Sequence, residues 1–209
     1  NTSTGCVNNM TGNATVTINA LPTVYTVTGG GAYCIGGTGS AVGLSGSDAG
    51  IDYQLYNGSL TVGSPVAGTG GSINFGTFTS AATYTVTATN TTTGCVKNMS
   101  GSASVTVNSL PAPVLVTGGG TICIGGTGVA VGLAASASGI SYQLYVGGSP
   151  TGSPVIGIGG ALTFGMQTTI GTYTAVGTHP TTGCSNNMIG SVVIANYTPP
   201  TAFAVTGGG

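Results

Sequence analysis

The chain has 209 residues, yet its acidic and basic side chains are only Asp48, Asp52, Lys97 and His179, so charged residues make up 1% of it, against about 25% in an ordinary soluble domain. It has no basic field to hold phosphates, which argues against nucleic acid as a partner, and no acidic cluster to hold polyvalent cations. With 40% hydrophobic residues it is the opposite of a disordered composition, and no apolar run of about 18 residues is present to form a membrane-spanning helix.

The chain is written as a repeat. Cys6, Cys95 and Cys184 follow one another at intervals of 89 residues, and Cys34 and Cys123 are separated by the same 89. "TVTGGGAYCIGGTGSAVGL" at 26–44 returns as "LVTGGGTICIGGTGVAVGL" at 115–133, and "VTGGG" begins again at 205. Pro22, Pro111 and Pro200 keep step, where a residue without an N–H suits a junction. The period divides the chain into residues 1–19, the last strand of a preceding module; 20–108 and 109–197, two complete modules; and 198–209, the first strand of a following one. On this expectation the chain is an interior segment whose targeting signals lie elsewhere.

Within the first complete module, period-two alternation predicts seven strands, near 23–28, 41–46, 51–56, 60–67, 72–75, 83–89 and 100–107, with residues 29–40 as a long glycine loop. "IDYQLY" at 51–56 turns Ile51, Tyr53 and Leu55 inward, "TYTVTAT" at 83–89 turns Tyr84, Val86 and Ala88 inward, and "ASVTV" at 103–107 does the same with Ala103, Val105 and Val107. "TTGCVKNM" at 92–99, written also as "STGCVNNM" at 3–10 and "TTGCSNNM" at 181–188, reads as the turn between the last two strands. Seven short strands in about 90 residues with no capped helical period predict an all-β fold of tandem immunoglobulin-like β-sandwich modules. The third-strand tryptophan of such sandwiches is missing, and Tyr53 and Tyr142 take its volume. Tyr84 and Tyr173 fall where a tyrosine corner lies, a plain core tyrosine being the alternative.

Comparing the two complete copies locates any chemistry. Asp48 stands where Ala137 stands, Asp52 opposite Ser141, Lys97 opposite Asn186 and His179 opposite Asn90. A module with a working acid, base or metal ligand would carry it in each copy, so no catalytic residue, metal or cofactor is expected and the chain is not read as an enzyme. Asp48 is expected as a turn aspartate, Asp52 as a solvent-facing strand residue, and Lys97 and His179 as solvated turn residues. "GGTG" at 36–39 and "GTGG" at 68–71 lead into strands and are turns rather than phosphate cradles.

Retention of two cysteines per repeat without metal-type histidines argues for disulfides and an oxidising, extracellular setting. The candidates are Cys6, Cys34, Cys95, Cys123 and Cys184. Two pairings are open: Cys34 with Cys95 and Cys123 with Cys184 within modules, or Cys34 with Cys184 between modules, leaving Cys6, Cys95 and Cys123 to bond units outside this segment. In an immunoglobulin-like order Cys34 and Cys95 fall at opposite poles, whereas bridged cysteines need Cα atoms within about 7 Å.

Outward Tyr56 and Tyr145 recur in both copies and are candidate contacts for surface glycans, packing against a neighbouring edge strand being the plainer reading. Sequons start at Asn1, Asn9, Asn13, Asn57, Asn90, Asn98 and Asn196, which makes them candidate glycosylation sites.

The phrases "CIGGTGSAVGL", "YQLY" and "TYTVTATNTTTGC" with a threonine-rich last strand resemble the tandem Ig-like repeats of giant cell-surface adhesins of Bacteroidota, including those of gliding bacteria. The resemblance implies an extracellular, repetitive stalk or filament, exported by the type IX pathway and anchored by other regions, with no catalytic residues to carry over. The expected function is a structural repeat segment of an extracellular bacterial surface filament or adhesin stalk, a disulfide-stabilised spacer or self-assembling fibre whose partners are neighbouring copies of the same repeat. The alternative is an adhesive module recognising surface glycans through the exposed tyrosines.

Overall fold

The computed structural model describes residues 2–197 and 200–208, and among them it is all-β, without a helix. Two compact units are present. One comprises the chain up to Gly31, Ala41–Phe78 and Ala82–Ser104; the other comprises Ala32–Ser40, Thr79–Ala81 and the chain from Val105 onward.

The first repeat forms β1 (Val27–Gly29), β2 (Gly31–Cys34), β3 (Ser40–Leu44), β4 (Ile51–Asn57), β5 (Leu60–Ala67), β6 (Ile73–Phe78), β7 (Ala82–Asn90), β8 (Val96–Asn98) and β9 (Ala103–Asn108). They make a three-stranded sheet, β1-β3-β6, and a sheet of order β2-β9-β7-β4-β5 with β8 on β7. The second repeat duplicates this with β10 (Val116–Gly118), β11 (Gly120–Cys123), β12 (Val129–Leu133), β13 (Ser141–Val146), β14 (Ser149–Ile156), β15 (Leu162–Gln167), β16 (Gly171–Thr178), β17 (Ser185–Asn187) and β18 (Val192–Tyr197). Its sheets run β10-β12-β15 and β11-β18-β16-β13-β14, with β17 on β16. Two facing sheets in this order are an immunoglobulin-like sandwich.

The alternation explains the core. On β7, Tyr84, Val86 and Ala88 are buried while Thr83 and Thr85 are exposed, and on β4 Ile51, Tyr53 and Leu55 are buried. Unit 2 repeats this with Tyr142, Leu144, Tyr173, Ala175 and Ile194 in one cluster with Val131, Leu133 and Met188. Tyr53 and Tyr142 are both fully buried, and each phenolic oxygen accepts a backbone N–H, from Asp48 and Ala137 respectively, at 2.9 Å. Tyr173 donates its hydroxyl to the Thr169 carbonyl at 2.7 Å, the bond of a tyrosine corner. Tyr84 stacks obliquely on Phe78, ring centroids 4.5 Å apart.

Nine strands per repeat form where alternation predicts seven. The additions are β2, inside the expected glycine loop, and β8, inside the expected turn "TTGCVKNM"; β11 and β17 are their counterparts. These strands are three or four residues long and mostly exposed, so their formation depends on the strand beside them rather than on a buried face. The glycine triplet makes β2 possible. Gly29, Gly30 and Gly31 have φ of 90°, 77° and 125°, a left-handed passage open to glycine, and the chain crosses there from the three-stranded sheet to the other. A Cβ at Gly29 would lie 2.1 Å from the Ala41 carbonyl oxygen, and one at Gly118 would lie 2.0 Å from that of Ala130.

Residues 5–25 contain no strand, and Val16 and Ile18 within them are 88% and 96% exposed. Residues 200–208 contain no strand either. Alternation without a neighbouring strand to supply hydrogen bonds leaves residues 5–20 exposed and without regular structure, whereas Pro22 is buried and Tyr25 half-buried.

Candidate functional site

Cys34 ends β2 and Cys184 lies in the turn between β16 and β17; within unit 2 their sulfurs are bonded at 1.99 Å, with Cα atoms 5.6 Å apart. Each cysteine sits in a hydrogen-bonded frame. Ile35 N donates to Asn108 O and Gly37 N to Cys34 O, both at 2.9 Å, while His179 N donates to Cys184 O and Gly183 N to His179 O, both at 2.8 Å. The Tyr33 hydroxyl donates to the Thr79 carbonyl, and Asn186 Nδ2 donates to Pro111 O at 3.0 Å, which ties the turn to the linker between repeats. Cys184 is fully buried.

The within-repeat pairing is not the one formed. In unit 2, β11 runs parallel to β18 with Cys123 level with Tyr197, and β18 runs antiparallel to β16 with Ile194 level with Gly171. Cys184 follows the far end of β16, where Thr178 pairs with Ser185. At ~3.3 Å per residue the two cysteines of one repeat are roughly 35 Å apart, beyond any bridge. Cys34 is likewise taken by Cys184 and not by Cys95. Cys95 and Cys123 carry thiols, half-buried and exposed respectively. Cys6 is exposed, its Sγ 3.7 Å from Thr4 O.

In unit 1, Tyr56 borders an open groove of about 390 Å³ lined by Gly58, Ser59, Thr85, Thr87, Asn98 and Met99. Tyr56 is half-buried between Thr85 of β7 and Thr61 of β5. Thr87 donates to Asn98 Oδ1 at 3.0 Å, and both residues line the groove. No charged side chain lines it. Tyr145 has the same place in the second repeat, between Thr174 and Pro150, with Val176 where Thr87 stands.

Of the sequon asparagines, Asn9, Asn13, Asn57, Asn98 and Asn196 are exposed and Asn90 is half-buried, while Asn1 lies outside the described residues. Asn90 is engaged, its Oδ1 accepting from the backbone of Thr92 and Thr93 at 3.0 Å each. His179, which replaces it in the second repeat, is not a solvated turn residue: it is half-buried, and its Nδ1 is buried without a hydrogen-bond partner among the described residues. An imidazole in the place of a short amide brings its ring nitrogen into the turn without the amide's two acceptor contacts. Lys97 is exposed on β8 and Asp52 is half-buried on β4.

Asp48 does more than form a turn. Its Oδ1 accepts from the Tyr25 hydroxyl at 2.7 Å. That hydrogen bond, with burial and the carboxylate's charge, raises the Tyr25 pKa above the ordinary 10.0. Burial raises that of Tyr53 as well, the backbone hydrogen bond from Asp48 opposing and the Asp48 charge assisting.

Sequence reasoning overlooked the polar residues that hold the loops. Gln54 Nε2 donates to Leu55 O at 2.8 Å and Val62 O at 3.1 Å, and Gln143 Nε2 to Leu144 O at 2.8 Å and Thr151 O at 2.9 Å, each filling the bulge where pairing with the next strand shifts register. Buried Ser47 and Ser136 donate to Gly71 O and Gly160 O at 2.6 Å. Their recurrence in both copies was the available signal. Among the described residues no three His, Cys, Asp or Glu side chains gather as a metal site, and no helix is long and apolar enough to cross a membrane.

No family model and no curated protein matches the chain. Among solved structures it is similar to fibronectin(III)-like modules of Clostridium thermocellum CbhA, at 13% identity and a TM-score of 0.40, over 88% of this chain and 100% of that one. It is also similar to three N-terminal domains of the bacteriophage RB49 highly immunogenic outer capsid protein, at 14% and 0.33, over 82% of this chain and 59% of that one. A third is the mouse nectin-like molecule 4 ectodomain, at 13% and 0.30, over 87% and 67%. The strand order and buried alternation themselves define the class: tandem immunoglobulin-like β-sandwiches with one disulfide.

Proposed function

We propose that the chain is a structural segment of an extracellular repeat protein, a stalk or filament in which each sandwich is a spacer of about 35 to 45 Å. Residues 1–19 and 198–209 belong in this reading to adjoining repeats. The observation that supports it is the Cys34–Cys184 bond, which ties one repeat to the next across 150 residues and belongs to oxidising compartments. A surface almost without charge also leaves little repulsion to oppose side-by-side packing of chains. The resemblance to Bacteroidota surface adhesins extends the reading to a bacterial cell surface and type IX export.

Pulling a single molecule by its ends tests it. Force passes through the disulfide, so the residues between Cys34 and Cys184 stay out of the load path. Adding reductant should lengthen the fully unfolded chain by roughly 500 Å at ~3.5 Å per residue. Equal lengths with and without reductant would remove the support for a load-bearing staple.

The Tyr56 groove favours a second reading, an adhesive module for neutral saccharides: an aromatic face, threonine hydroxyls and an amide surround a concavity without charge. Binding on a glycan array that Tyr56→Ala abolishes would support it; binding that survives the substitution would place recognition elsewhere.

A further inference from the structure

The sulfur positions repeat with the sequence. Cys123 occupies the place of Cys34, and Cys95 the place of Cys184. The first members of each pair are thiols, the second members are bonded to each other. The backbone around each thiol already has the form of its bonded counterpart. Cys123 O accepts from Gly126 N at 2.9 Å, as Cys34 O does from Gly37 N at 2.9 Å. Cys95 O accepts from Asn90 N at 2.9 Å, as Cys184 O does from His179 N at 2.8 Å. Cys95 N lies 3.4 Å from Thr93 Oγ1, as Cys184 N lies 3.3 Å from Thr182 Oγ1. The short strand after each turn pairs in the same register, Thr89 with Val96 and Thr178 with Ser185.

We propose that Cys123 and Cys95 are the two open halves of a staggered disulfide series, in which Cys123 of one copy of this chain bonds Cys95 of a second copy standing in the place of the following repeat. The proposal rests on the stalk reading and names its partner. Two thiols give up two protons and two electrons to a low-molecular-weight disulfide such as oxidised glutathione. By thiol–disulfide exchange its S–S bond breaks, the Cys123–Cys95 bond forms, and two glutathione thiols leave. Because the bonded pair spans 150 residues and the repeat 89, the staples overlap. Load enters a copy at Cys95 and leaves at Cys123, and a break of the backbone between them leaves a covalent route through Cys34 and Cys184.

The test is oxidation of the full 209-residue chain carrying Cys6→Ser in a glutathione redox buffer, followed by a non-reducing gel and mass mapping of peptic peptides. A ladder of covalent oligomers with a peptide joining Cys123 to Cys95 is expected. Adding Cys123→Ser or Cys95→Ser should leave monomer only, and mixing those two variants should give dimer and nothing larger. Predominant Cys123–Cys123 or Cys95–Cys95 peptides, or recovery of both cysteines only as glutathione adducts, would overturn the proposal. The Cys34–Cys184 peptide, scored in the same digest, reports separately on the stalk reading.

Discussion

The Tyr25 hydroxyl donates to the Asp48 carboxylate at 2.7 Å, and in the second repeat both partners are replaced together, by Val114 and Ala137. The pair closes a loop beside the core, since Asp48 also donates its backbone N–H to buried Tyr53. A polar couple in one copy and an apolar couple in the other fill the same position, which is why neither is left unsatisfied.

This couple gives unit 1 an alkaline limit. The pKa values of Tyr25 and Tyr53 are raised in the fold, so the folded chain keeps protons that the unfolded chain loses. Below the ordinary tyrosine value of 10.0 both states are protonated and the contribution is fully present. As pH rises above it, the unfolded state deprotonates first and stability falls through the folded-state values. Thermal melts across this range should show the loss, and Asp48→Ala should make it shallower while bringing the Tyr25 titration back toward its ordinary value by ultraviolet absorbance.

The glycine triplet makes a second prediction. Gly29 and Gly36 both have positive φ, 90° and 85°, but a Cβ at Gly29 meets the Ala41 carbonyl at 2.1 Å whereas one at Gly36 meets nothing within 4 Å. Gly36→Ala should therefore cost only the left-handed strain, about 1 kcal/mol, and Gly29→Ala that strain plus a backbone displacement, about 3 kcal/mol. Denaturant unfolding of the two variants checks the difference. Oxidative refolding of Gly29→Ala should also give less Cys34–Cys184 bond, because β2 begins at the passage this glycine opens.

Tyr173 offers a third. Its ring is fully buried and its hydroxyl is bonded to Thr169 O. Tyr173→Phe keeps the ring and removes one hydrogen bond, so a loss of about 1 kcal/mol is expected in equilibrium unfolding. A loss of several kcal/mol would mean that the corner also sets the path of the chain into β16.

These sites show what was legible in the chain itself. β4, β7 and β9 could be read because each buries one face, so Tyr53, Val86 and Ala103 stand out against the more exposed residues that alternate with them. β2 and β8 could not: "GAYC" and "VKN" bury almost nothing and are strands only because β9 and β7 lie alongside. Gln54 sits at an outward position of β4 and looks like solvent-facing polarity until the bulge at Tyr53–Leu55 turns its amide to the backbone. The Tyr25–Asp48 couple was present as a paired exchange between the copies, a signal visible only when two positions 23 residues apart are compared at once. Strand direction set Cys34 and Cys95 at opposite poles of the sandwich but left both pairings open, and the Cys34–Cys184 bond itself decides between them.

The disulfide supplies the last prediction. Closing a loop across 150 residues removes chain entropy from the unfolded state worth about 5 kcal/mol at 25 °C in the loop model. Cys34→Ser breaks the bond at its half-buried end and avoids a polar group in the fully buried place of Cys184. Unit 1 lies largely inside the closed loop. If unit 1 stays folded while unit 2 opens, the loop that gains freedom is shorter, but the entropy varies only with the logarithm of its length and the measured loss falls by about 0.5 kcal/mol. Calorimetry of wild type and Cys34→Ser should therefore show a lowered transition for unit 2, which contains both cysteines, with the larger loss when both units melt together. Superimposable transitions would mean that strain in the folded state offsets the entropy the bond removes.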